Sequence, residues 1–307
     1  MVIEMAKKIA LTQLSSCWGC DQALVDLHLG LLDVLPALDI VYWPAVVDYK
    51  LKDLEAMDDN SIHIGLVEGS CRTKEDTHIL KVMRAKSKIL VAWGSCSAYG
   101  GVQGYGNQWD LKELLARKFL KAETITDGRI PEENLPGFEE YIIPNPEIVE
   151  IDLVLPGCPP TSQNTLDALT ALLTNKPFEL PQKTVCDECL MERKEKIIKK
   201  FKRTHEGKVE PGICLLDQGY LCLGFATIGL CGAQCPTVNV PCKGCFGPAP
   251  SVKDHGAKII SALGAIADME PEELKAAFPD PIGSFYFTDY ASSYLSKIRS
   301  KSKGDKK

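Results

Sequence analysis

Between Cys186 and Cys245 the chain carries eight of its thirteen cysteines, in the strings CDECL, GIC, YLC, GLCGAQC and VPCKGC. Thiols at this density are not there for packing, because a structural cysteine behaves as a small buried hydrophobe and needs no partner. Thiolates at two-residue spacing converge instead on a soft metal or an iron-sulfur cluster. Cys186 with Cys189 and Cys242 with Cys245 have that spacing, and Cys214, Cys222, Cys231 and Cys235 lie between them. Eight ligands make two sets of four. Zinc fills such sets as readily as iron and sulfide do, so local spacing leaves both open.

The elements that must position the remaining thiols decide more. Residues 9–14, 40–43, 62–67, 88–93 and 151–155 read as short buried strands. Helical spacing predicts helices over 74–85, 111–120 and 162–173, and a further one that Asp21 caps, Leu24, Leu27, Leu31, Leu32 and Leu35 line, and Pro36 stops. Strands alternating with helices predict an α/β fold, a doubly wound parallel sheet in which ligands sit beyond the carboxyl ends of the strands. Cys17, Cys20, Cys96 and Cys158 all follow predicted strands directly, so thiols far apart in sequence are expected to meet at one sheet edge. Glycine close to Cys20, Cys96 and Cys158 lets backbone approach a bulky cofactor and donate N–H bonds to its sulfurs. Cys71 follows a strand too, which makes it either a neighbour or substitute ligand of that set or, as a core cysteine usually is, a free buried thiol.

Residues 175–182, with Pro177 and Pro181, read as a linker, dividing the chain into a domain over 1–178 and another over 179–307. Regular patterning fades after it. The second domain is expected to be loop-rich, with helices over about 191–202 and 252–267, stapled by its metal ligands. The terminal SKIRSKSKGDKK reads as a disordered, solvated tail. The run RKEKIIKKFKR is either a solvated basic face or, beside a cluster near the surface, a means of steering an acidic electron-transfer partner. GGVQGYG lacks the lysine-serine pair and the ribose-binding acid of a nucleotide cradle, and the five histidines show no ligand-like clustering.

Composition narrows the function class. With 45% hydrophobic and 25% charged residues, 307 residues support two cored domains. A net charge of −6 argues against nucleic acid as a partner. Thirteen cysteines are an odd count in a long chain, unlike the disulfide frameworks of short secreted proteins. The first seventeen residues show no apolar run closed by a cleavage site and no twin-arginine pair, and no eighteen-residue apolar segment follows, so a cytoplasmic protein with no membrane partner is expected.

CWGC after the first strand, GSCSAYGGV, LPGCPP and the C-terminal cysteine cluster together resemble the small subunit of nickel-iron hydrogenases over nearly the whole chain. The resemblance implies a flavodoxin-like domain holding a proximal cluster on Cys17, Cys20, Cys96 and Cys158. It implies a medial cluster on Cys231, Cys235, Cys242 and Cys245 and a distal one on Cys186, Cys189, Cys214 and Cys222. Many relatives have histidine as the first distal ligand and only three medial cysteines. Here Cys186 and Cys235 supply thiolates, implying three 4Fe-4S clusters, and all-cysteinyl ligation tends to lower the potential.

Within the family the chain is most similar to the cytoplasmic methyl-viologen-reducing branch of methanogenic archaea. That branch implies a large subunit carrying the nickel-iron centre, a small iron-sulfur acceptor subunit and heterodisulfide reductase as partners. No catalytic residue is expected on this chain. A deazaflavin-coenzyme-reducing hydrogenase is the neighbouring alternative. A complex-I-type relay subunit is a further one, although such relatives show an adjacent cysteine pair that is absent here. From another class, a structural zinc protein that holds a partner fits the thiol spacing.

Overall fold

The computed structural model describes residues 6–194 and 197–304. Of the described residues, those up to Phe178 together with 289–304 form one compact unit, and those from Glu179 to Thr288 form another. The final segment, placed in the second domain by the sequence pattern, thus belongs with the first.

The first unit contains β1 (Lys7–Gln13), β2 (Leu38–Tyr42), β3 (Ile62–Glu68), β4 (Cys71–Thr73), β5 (Ser87–Trp93), β6 (Phe138–Ile143) and β7 (Leu153–Leu155). Five of them make an all-parallel sheet in the order β2-β1-β3-β5-β7. Renumbered within the sheet this is the 2-1-3-4-5 order of flavodoxin-like folds, whose crevice opens between β1 and β3 where the winding reverses. Parallel strands covered on both faces read as apolar runs rather than alternations. Ile9 to Leu11, Ile64, Leu66, Val67 and Leu90 to Trp93 are accordingly all buried. Each large side chain among them contributes about 1.5–3 kcal/mol by leaving water. The helix Lys74–Lys86 packs Leu80 and Met83 into this core. Thr73 starts it, its hydroxyl accepting from the Asp76 N–H at 3.1 Å while the Asp76 carboxylate accepts from the Thr73 N–H at 2.8 Å.

Four elements differ from the sequence expectation. The leucine-rich helix after Cys20 is two short ones, Gly19–Val25 and Leu29–Val34, because His28 stands at φ 50 between them. The proline-rich connection before β7 contains β6, which pairs antiparallel with β4. Residues 191–202 are not helical: Glu192, Ile198 and Lys202 bridge to Ile213, Ala267 and Tyr220. Burial of Ile198 and Phe201 overrides the helix propensity of the surrounding lysines; Glu195 and Lys196 lie outside the described residues. The expected tail is helical over Tyr294–Gly304, and 305–307 again lie outside the described residues. The helix expected over 252–267 is His255–Ile266, begun by Asp254, whose carboxylate accepts from the Ala257 N–H at 2.9 Å. Among the described residues no helix is long and apolar enough to cross a membrane.

Candidate metal centres

The carboxyl ends of β1, β5 and β7 deliver the first set of thiols. Leaving β1, the chain bonds to the segment after β3, Ser15 and Ser70 exchanging N–H···O bonds at 3.1 and 3.0 Å. Trp18 then turns in the left-handed region at φ 72, leaving Cys17 exposed and Cys20 buried. Glu68, the fully buried last residue of β3, fixes that turn: its Oε2 accepts from the N–H groups of Cys20 and Asp21 at 3.0 and 3.1 Å, and its Oε1 from the Ser16 hydroxyl. Cys96 lies on the short helix Gly94–Tyr99 after β5. Gln103 buckles the two edges together, its Nε2 donating to Ser15 O at 2.9 Å and Ser70 Oγ at 3.1 Å while its Oε1 stands 3.5 Å from Cys96 Sγ. Ser95 and Gly157 bond to each other, Ser95 N–H to Gly157 O at 2.7 Å and Gly157 N–H to Ser95 Oγ at 3.1 Å, which holds Cys158 beside that helix.

The four thiols stand close enough for their charges to interact. Burial pushes the Cys20 thiol far up, and Glu68, Cys96 and Cys158 add to it. Cys96 is pushed up to about 12, first by burial and then by Cys158 and Cys17, against the Gln103 hydrogen bond. Cys158 rises through burial and then Cys17. Four thiolates gathered in low dielectric need positive charge among them, which bound iron supplies. The backbone also leaves room. Gly94, at φ +85, and Gly101, at φ +64, would each put a Cβ 2.4 Å from a sulfur, of Cys20 and Cys96 respectively. Gly94→Ala is therefore expected to leave the sheet folded and to lower bound iron by about four per chain, the content of one cubane; elemental analysis against circular dichroism checks it.

In the second unit, Cys186, Cys189, Cys214 and Cys222 line one small cavity, with Met191 and Arg193 at its wall. Burial raises the Cys222 thiol, with Cys214 and Cys189 adding to it, against N–H bonds from Cys242 and Gly224. Cys231 is likewise raised by burial, with Glu188 and Cys235 among its charged neighbours. Cys242 is raised by burial and by Cys222 and Cys245. Its sulfur accepts from the Gly244 N–H at 3.5 Å, while its own N–H donates to Cys222 Sγ at 3.3 Å. N–H groups aimed at sulfur are what a thiolate-bound cluster uses. Among the described residues no three His, Cys, Asp or Glu side chains close around a single ion. A cubane, with each iron taking one thiolate, spreads its donors more widely.

Three polar residues beside the thiols were missed by the sequence reading: Glu68, Gln103 and His255. His255 is buried, its Nε2 3.2 Å from Thr227 Oγ1, and Thr227 in turn reaches Cys242. A glutamate ending a buried strand just before Gly69 and Ser70 was the one signal available. Cys71 stands apart from these sets. It is fully buried among Val41, Tyr42 and Val67, with Asn145 Oδ1 3.7 Å from its sulfur.

Residues 17–172 match the family described as NADH ubiquinone oxidoreductase, 20 Kd subunit. Over 85% of this chain and 89% of the relative, the sequence is 45% identical to a vhu subunit of the F420-non-reducing hydrogenase of Methanocaldococcus jannaschii. Over 96% of this chain and 98% of the relative, it is 35% identical to a subunit of the F420-non-reducing hydrogenase of Methanothermobacter thermautotrophicus. A solved chain of an NAD+-reducing [NiFe]-hydrogenase, 30% identical, superposes with a TM-score of 0.53 over 57% of this chain and 96% of that one. The fold is shared also with a chain of a [NiFeSe]-hydrogenase from Dm. baculatum, at a TM-score of 0.50, 17% identity, and 81% of this chain against 96% of that one. Motif, sheet order and these likenesses agree, and the chain belongs to the family of F420-non-reducing hydrogenase subunits, oxidoreductases built on the small-subunit fold of nickel-iron hydrogenases.

Proposed function

We propose that this chain is the electron-relay subunit of a nickel-iron hydrogenase, holding three 4Fe-4S clusters between a large subunit that splits hydrogen and an iron-sulfur acceptor that serves heterodisulfide reductase. The observation that carries the reading is the convergence of Cys17, Cys20, Cys96 and Cys158 from three separate strand ends on one crevice. In the same reading Cys186, Cys189, Cys214 and Cys222 hold the distal cluster and Cys231, Cys235, Cys242 and Cys245 the medial one. When bound, each cluster would take up and pass on one electron at a time. The chain's own residues set where and how easily that happens: thiolates bind, N–H groups of Gly224 and Gly244 stabilise them, and burial keeps water away.

Support for a large-subunit partner comes from the segment that follows Cys17. Trp18, just before the first of the two short helices, and Val25, Leu29 and Leu32 on them expose between 44% and 78% of their area. Large apolar side chains left exposed in the segment after a cluster ligand fit a face that a partner covers. A cytoplasmic setting belongs to the same reading, since among the described residues no cysteine is joined in a disulfide. The names of the relatives favour an enzyme that does not reduce F420 over the deazaflavin-reducing alternative. The second cysteine-rich unit separates the chain from complex-I-type relay subunits of a single cluster.

The test is anaerobic co-purification of the complex. About twelve irons on this chain, the sum of three cubanes, beyond the irons its partners carry, with a brown colour that hydrogen bleaches, are the expected result. A colourless, zinc-loaded chain would overturn the proposal in favour of a structural zinc protein.

A further inference from the structure

Two cavities of the second unit adjoin on a shared aromatic floor. Phe201, Phe278 and Phe285 pack in sequence, each ring tilted 59° to the next, with centroids 4.8 and 4.9 Å apart. On one side of Phe278 a cavity of about 430 Å³ is lined by Lys202, Arg203, His205 and Lys243, with Asp280 as its acidic residue. Asp280 has a structural duty, since its Oδ1 accepts from the Gly283 N–H at 2.9 Å and so begins the helix Pro281–Phe285. On the other side a cavity of about 320 Å³ is apolar, lined by Ile260, Leu263, Leu274, Pro281 and Phe285. Both volumes lie within the range of ligand sites.

Lys202 is held in place rather than waving in solvent. Its N–H donates to Gly219 O at 2.8 Å, and its ammonium lies 5.4 Å from the Tyr220 ring centroid. The cationic cavity also borders the cluster ligands, for Lys243 follows Cys242 and Leu221 precedes Cys222. A cationic compartment beside an apolar one, on one floor, is complementary to a peptide that offers carboxylates next to an apolar side chain. The chain's own C-terminal tail does not fit, because KSKGDKK brings lysines to lysines.

Resting on the relay reading above, we infer that this double groove docks an acidic segment with an apolar anchor from the electron-accepting protein. The carboxylates sit against Lys202, Arg203 and Lys243, and the anchor enters between Ile260 and Phe278. The basic run noted in the sequence thereby acquires a use for its last two residues. Charge draws the acceptor in, and the apolar pocket fixes its register close to the sulfurs that electrons leave.

The experiment uses the anaerobically purified complex with Ile260→p-benzoylphenylalanine, whose ring reaches the apolar compartment, followed by illumination and mass spectrometry. The expected result is a cross-link to a segment of the electron-accepting protein that carries two or more carboxylates near the linked residue. Lys202→Glu with Arg203→Glu should then lower the yield at least tenfold, while iron content and hydrogen-driven benzyl viologen reduction stay unchanged. If the double reversal loses iron, Lys202→Gln with Arg203→Gln replaces it. A cross-link to the large subunit, to a second copy of this chain, to a basic segment or to nothing overturns the inference, as does a yield that ignores charge. Iron and dye reduction of the unsubstituted complex report separately on the relay itself, so loss of either there counts against that reading and not against the groove.

Discussion

Cys96→Ala should lower hydrogen-driven dye reduction by the assembled complex by at least about a hundredfold, the upper end of what metal-site lesions cost, while Cys71→Ala changes it by less than about twofold. The contrast follows from where two cysteines of similar sequence context come to rest. Each stands three residues beyond the end of a buried strand, each is buried, and burial raises the pKa of each. Yet Cys96 shares its electrostatic neighbourhood with Cys17, Cys158 and Glu68, whereas the charged neighbours of Cys71 are Asp76, Glu139 and Lys81. Removing Cys96 leaves three partnered thiols around a corner that iron can no longer fill. Removing Cys71 deletes one sulfur from an apolar cluster, worth about 1 kcal/mol of packing. Anaerobic hydrogen uptake with benzyl viologen, alongside the low-temperature paramagnetic spectrum of the reduced clusters, checks both. Equal losses for the two variants would mean that the first set has been assigned to the wrong sulfurs.

The metal-binding residues were legible because thiols have few other reasons to cluster, and because parallel strands announce both their cores and their ends. The run KKIALTQLSSCWGC shows its apolar strand and its ligand turn in one line. What holds that turn was not legible in the same way. Glu68 reads as an ordinary acid until the sheet brings β1 and β3 side by side, when its carboxylate meets the N–H groups of Cys20 and Asp21. The Asp21 carboxyl is in turn pushed up to about 7 by its own burial and then by Glu68. Such pairings depend on register, and register is a property of two strands rather than one.

Local propensity misled where burial opposed it. Lysines and glutamate from Met191 onward favour a helix, but Ile198 bridges to Ala267 and Lys202 to Tyr220, so the segment follows its partners instead. Leucines after Cys20 recur at helical spacing, yet Leu29 is 78% exposed, because the helix breaks at His28 and turns its second half outward. Periodicity marks a face for burial without saying whether this chain or another supplies the cover. For Leu29 and Leu32 the outward placement is what the proposed large-subunit contact requires.

Stripping iron from the complex should unfold the two units unequally. In the first, β1, β3 and β5 keep a continuous ladder and a core of Ile9, Leu11, Ile64, Leu66, Leu90 and Val91 that includes no ligand. In the second, the segments that carry Cys186 to Cys245 are joined by isolated bridges, such as Thr184 to Ile228 and Thr227 to Pro248, and by short helices at Val185–Glu188 and Gln234–Thr237. Few backbone bonds there would survive the loss of the ligand sets, and the freed thiols would sit buried with no metal charge to offset. Binding free energy in such a domain is folding free energy. Amide exchange over 183–249 is therefore expected to accelerate by at least about a hundredfold on iron removal, and that of β1, β3 and β5 by less than about tenfold. Exchange mass spectrometry on loaded and stripped protein reads both regions at once. Should 183–249 keep its protection without iron, the side-chain core around Leu215, Leu216, Tyr220 and Ile228 folds that unit unaided, and the clusters are passengers in it rather than its staples.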